Sequence, residues 1–149
     1  MGASRSPQIK DLMTREVATL PATAKATQAA ETMKSLNVGA IPICDGKRLL
    51  GMVTDRDLVV RVMAEHLSPE IEMISGIMTT DVDYCYEDQT VEEAAQVMQD
   101  RQVRRMPIIN HDKELVGIVS LGDVAVKGSD KSTTAEALEQ ISRPAAPQR

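Results

Sequence analysis

Ala26, Ala29, Ala30 and Met33 recur at helical spacing while Lys25, Glu31 and Lys34 face elsewhere, and the same rhythm returns at Val91, Ala94, Ala95 and Met98. Each stretch predicts a helix that buries one narrow face. Two short apolar runs follow each helix. In the first half they are Ala40 to Cys44 and Leu49 to Val53, parted by Asp45-Gly46-Lys47. In the second half they are Met106 to Ile109 and Leu115 to Val119, parted by Asn110-His111-Asp112-Lys113. Runs of this length around a turn signal predict hairpins. Short strands are expected ahead of the helices, at Val17 to Leu20 and Val82 to Tyr86. A further helix is expected after each hairpin, with the apolar stripe Leu58, Val59, Val62 and Met63 in the first half and a start at Leu121 in the second. The order strand, helix, strand, strand, helix thus occurs twice.

Subtraction shows that the two halves are copies. Met13-Thr14 and Met78-Thr79, Met33 and Met98, and Pro42 and Pro107 each stand 65 apart, whereas Gly51, Val53 and Asp57 stand 66 from Gly117, Val119 and Asp123. The extra residue falls in the second hairpin turn, where insertions cost little. The expected division is a leader at 1–8, a first repeat at 9–66, a linker at 67–75, a second repeat at 76–127 and a polar tail at 128–149. Within the tail, Thr134 to Ile141 could form one short helix.

Composition narrows the picture further. A unit of roughly 60 residues buries little surface by itself, so the copies are expected to pack on each other. With no Phe or Trp and only two Tyr, the interior must be filled by Ile, Val, Leu and nine Met residues. The net charge of −5 disfavours nucleic acid as a partner, since that partner requires a broad basic face. No stretch approaches the roughly 20 apolar residues of a membrane span, and a cytoplasmic location is expected. Cys44 and Cys85 read as buried, reduced thiols, and His66 and His111 as surface residues without partners.

Chemistry concentrates where the hairpins end, in GMVTDRD at Gly51 to Asp57 and GIVSLGD at Gly117 to Asp123. Thr54 with Asp57, and Ser120 with Asp123, place a hydroxyl and a carboxylate at a helix start. An ionised carboxylate can accept two hydroxyls side by side, which suits the vicinal hydroxyls of a ribose. The same spacing is also that of a capping box, which satisfies the orphan amides of the helix. The residues alone leave both roles open. No nucleophile with a base, no spaced metal ligands and no phosphate-cradling glycine loop are evident, so catalysis is not expected.

These two motifs, with VGAIPI and VRRMPI ahead of them, resemble a tandem pair of cystathionine beta-synthase (CBS) domains over residues 9–127. The resemblance implies an α+β fold of two βαββα repeats about a pseudo-twofold axis, with two clefts that hold AMP, ADP, ATP or S-adenosylmethionine in many members. No cofactor is implied as a requirement. Carried over, it joins Thr54 and Asp57 with Val103, Arg104 and Arg105 in one cleft, and Ser120 and Asp123 with Val38, Gly39 and Ala40 in the other. The first combination, with its two cations, is expected to bind phosphate more tightly. The implied role is a regulatory adenine-nucleotide-binding module, a homodimer that reports metabolic state to a separate and unknown protein target. A structural pair with empty clefts is the competing reading.

Overall fold

The computed structural model describes residues 7–127, which fall into two compact units. The first unit comprises Val17–Val82 with Asp112–Leu115, and the second comprises 7–16, Asp83–His111 and 116–127. Residues 1–6 of the expected leader, and the whole tail with its helix at Thr134 to Ile141, lie outside the described residues. The architecture is α+β, with the strand and helix order repeated.

In the first unit, α1 (Ala26–Leu36) turns Ala26, Ala29 and Met33 inward. It stops at Asn37, whose φ of 56° is left-handed, and the Val38 N–H donates back to Met33 O at 3.1 Å. This six-to-one bond satisfies one of the helix's last carbonyls. Strands β1 (Ala40–Asp45) and β2 (Arg48–Thr54) then pair antiparallel, with Ala40 opposite Thr54 and Ile41 opposite Val53. Gly46, at φ 62°, makes the turn between them. After β2 comes α2 (Asp55–Leu58), which widens into a π turn over Val59–Met63. The expected apolar stripe on this helix is split: Val62 is buried and Leu58 packs half-buried on the core, but Val59 and Met63 are 52% and 71% exposed.

The second unit repeats the plan with β3 (Cys85–Tyr86), α3 (Val91–Arg101), β4 (Arg105–Ile109), β5 (Leu115–Ser120) and α4 (Leu121–Lys127). Helix α3 begins at a Thr90–Glu93 capping box, in which the Thr90 N–H holds the Glu93 carboxyl below its ordinary value. It ends at Gln102, φ 55°, and the Val103 N–H donates to Met98 O at 3.0 Å. Its sheet has the order β3-β4-β5, with β3 parallel to β4.

The strands expected ahead of the helices are shorter than their apolar runs. Leu20 alone bridges to Ile43, and its counterpart Cys85, 65 residues on, pairs with Ile108. Proline explains the shortening, because Pro42 and Pro107 have no N–H to offer the neighbouring strand, and Pro21 ends the first one.

Each unit is completed by the dipeptide that leads the other copy. Thr79 exchanges hydrogen bonds with Met52 at 2.8 and 2.9 Å, and Thr14 does the same with Ile118. A methyl group on Gly51 would lie 2.5 Å from Thr79 O, and one on Gly117 would lie 2.8 Å from Thr14 O. The two glycines are therefore required by the close approach of a second backbone. Separate apolar clusters fill the units, around Ile41, Ile43, Val53 and Ile74 in the first and Met98, Met106, Ile108 and Val119 in the second. No helix among the described residues is long and apolar enough to cross a membrane.

Candidate functional site

Thr54 closes β2 and Ser120 closes β5, so each hydroxyl stands where extended backbone gives way to a helix with unpartnered amides. The Asp57 N–H donates to Thr54 Oγ1 at 3.1 Å, and the Thr54 N–H donates to Asp57 Oδ2 at 2.9 Å. In the second unit the Asp123 N–H donates to Ser120 Oγ at 3.0 Å, and the Ser120 N–H donates to Asp123 Oδ2 at 2.9 Å. Both motifs are therefore complete capping boxes.

Capping takes only part of what the carboxylates offer. An ionised carboxylate has about four acceptor positions, and the box occupies one on Oδ2. Asp57 is 8% exposed, a buried charge that needs compensation. Arg61, one helical turn on, stands with Nε 3.8 Å from Asp57 Oδ1. Asp123 is half-buried.

A second pair of bonds ties each helix start to the entry of its own hairpin. The Asp55 N–H donates to Gly39 O at 2.9 Å, and the Leu121 N–H donates to Arg104 O at 2.8 Å. Gly39 and Ala40 thus lie beside Thr54 and Asp57 within the first unit. Arg104, with Arg105 next to it, lies beside Ser120 and Asp123 within the second. These bonds join each motif to the hairpin entry of its own copy. Val38 and Val103 are half-buried at the helix ends that lead into these entries, and Arg104 and Arg105 are exposed.

The two helix starts differ in charge. Asp55 reaches back over the first entry, so that its Oδ2 would touch a Cβ on Gly39 at 3.0 Å. The corresponding position in the second unit is the buried Leu121, beside two arginines. The first start thus carries an extra acid where the second carries an apolar residue next to two arginines.

Sequence reasoning missed Arg61, although its spacing of four from Asp57 is the signal of a helical ion pair. It also read His111 as lacking partners. The His111 ring stacks on Tyr86 at 4.5 Å between centroids, and its Nε2 lies 2.9 Å from Asp88 Oδ2. That hydrogen bond is the main reason the Asp88 carboxyl is held below its ordinary value. A turn residue meeting a loop 23 positions away leaves no local pattern. Cys44 and Cys85 are buried free thiols, as expected, and burial pushes both upward, Cys85 to about 11. Among the described residues no group of three or more His, Cys, Asp or Glu could hold a metal ion.

Comparison with known proteins finds a family for the repeated unit. The CBS domain model matches residues 9–64 and again 74–128. The CBS domain-containing protein YhcV of Bacillus subtilis is 39% identical over 134 residues, 90% of this chain and 94% of that protein. The crystal structure of Hypoxic Response Protein I with two coordinated zinc ions superposes with a TM-score of 0.73 at 35% identity, covering 80% of this chain and 98% of that one. The CBS domain pair of protein MJ0100, solved in complex with 5′-methylthioadenosine and S-adenosyl-L-methionine, superposes with a TM-score of 0.69 at 25% identity, covering 80% of this chain and 98% of that one.

Proposed function

This chain belongs to the CBS-domain family as a tandem pair, and on that premise we propose that it is a regulatory module that binds an adenosyl ligand. The adenosyl compounds bound by the MJ0100 pair support that ligand class. AMP, ADP, ATP and S-adenosylmethionine are the candidates, and no cofactor is needed. The proposed contacts are Thr54, Asp57, Val38, Gly39 and Ala40 at one position, and Ser120, Asp123, Val103, Arg104 and Arg105 at the other. In each, the carboxylate accepts ribose hydroxyls through the acceptor positions that the capping box leaves open.

The observation that carries the reading furthest is the 2.8 Å bond from the Leu121 N–H to Arg104 O. It sets the Arg104 backbone, with Arg105 next in the chain, beside the start of the helix that carries Asp123. A ligand with both ribose and phosphate would meet an acid and two arginines there, whereas at the Thr54–Asp57 position the nearby cation, Arg61, already faces Asp57. AMP therefore binds more tightly at Asp123. The proposed role is binding rather than conversion: in a cytoplasmic homodimer, the ligand favours one arrangement of the module, and a separate protein target reads it.

Removing a charged phosphate contact costs about 1.5–3 kcal/mol, so Arg105→Ala should weaken AMP binding roughly ten- to a hundredfold by titration calorimetry. Undiminished AMP affinity in that variant would reject the assignment. The completeness of both capping boxes favours a second reading, in which the motifs serve the fold alone. A thermal-shift panel separates the two. A ligand at a hundred times its dissociation constant adds about 2.7 kcal/mol of stability, and no shift with any adenosyl compound would favour the structural role.

A further inference from the structure

We infer that Arg61 is a positioning residue for the Thr54–Asp57 site, holding the Asp57 carboxylate aimed without using up its Oδ1. The inference rests on the reading of Asp57 as a ribose acceptor.

The guanidinium is anchored elsewhere. Its Nη1 donates to Ile77 O at 3.0 Å and to Met78 O at 3.2 Å. These carbonyls belong to the segment that continues into Thr79, which pairs with Met52 on β2. Fixed there, Arg61 turns its Nε toward Asp57 Oδ1 at 3.8 Å, beyond hydrogen-bond length. The charge of a buried carboxylate is thereby offset while Oδ1 remains able to accept a hydroxyl. Oδ2 is fixed from the other side by the Thr54 N–H at 2.9 Å. The carboxylate thus has one oxygen clamped by backbone and the other faced by a cation that does not displace a ligand.

A planar guanidinium suits this task better than an ammonium. It offers several donors in a fixed fork, so the same group can grip two carbonyls and present an N–H edge to the acid. The loss of Arg61 should consequently be felt by ligand hydroxyls on Asp57 more than by the base.

The test is calorimetric titration of adenosine and of 2′,3′-dideoxyadenosine on the full chain carrying Asp123→Ala, which reads the Asp57 position alone. That protein should prefer adenosine. Adding Arg61→Gln should reduce the preference about three- to fivefold, the size expected for a half-exposed ion pair, while leaving dideoxyadenosine affinity unchanged. Arg61→Lys, which keeps the charge and perturbs the fold less, should retain part of the preference. Equal weakening of both ligands in either variant, or an unaltered preference, would show Arg61 to be structural only and overturn the inference. Absence of any preference before Arg61 is changed would instead overturn the ribose reading itself, and the inference with it.

Discussion

Cys85 is 1% exposed and its thiol is pushed up to about 11, first by burial and then by the nearby Glu93 carboxylate. Because the folded value lies above the unfolded one, its contribution to stability is fully present below the ordinary thiol range. It is lost as the pH climbs from about 9 toward 11. At pH 8 the buried thiol stays protonated, so iodoacetamide should label native Cys85 slowly and the unfolded chain readily. Rapid labelling of the native protein would contradict this burial. An apolar neighbourhood made the state of both thiols legible in the sequence. The His111–Asp88–Tyr86 cluster was not legible, because β3 with the loop after it meets the second hairpin turn only after folding. Arg61 lies between these cases: its partner Asp57 has a readable local spacing, but its anchors at Ile77 and Met78 do not.

At the scale of elements, the hairpins and the helices α1 and α3 follow from periodicity and turn residues because their partners are close in sequence. The first strands do not, since their length depends on whether β1 and β4 can donate, and proline at Pro42 and Pro107 decides that. The exchanged Met-Thr leads were equally hidden, although the glycines that admit them were visible. Their cost can be measured. Gly51→Ala puts a methyl 2.5 Å from a backbone carbonyl, whereas at Gly117 the nearest atom is the flexible Met13 Sδ at 2.6 Å and the carbonyl is 2.8 Å away. Overpacking of this kind costs about 1–3 kcal/mol, and chemical denaturation should show Gly51→Ala as the more damaging of the two. Equal stability of Gly51→Ala and the parent would mean that this approach is looser than described.

For the whole molecule, the repeat disclosed the fold class and the two motif positions, while the choice of ligand rests on departures from the repeat. Arg104-Arg105 against Gly39-Ala40, and Leu121 against Asp55, give the copies different charge at matched places. The proposed homodimer has a surface to use. Leu58, Val59, Val62 and Met63 border an apolar cavity of about 440 Å³ with Ala26 and Ala30, and Val59 and Met63 stay exposed beside it. Light scattering should find the parent dimeric and Met63→Glu monomeric or shifted strongly toward monomer. An unchanged dimer would place the interface elsewhere. The most direct test of the central claim is calorimetric titration of AMP into the parent, Asp57→Ala and Asp123→Ala. The account predicts that Asp123→Ala loses the tighter binding event while Asp57→Ala keeps it. Loss of the tighter event in Asp57→Ala alone would contradict the pairing of Asp123 with Arg104 and Arg105.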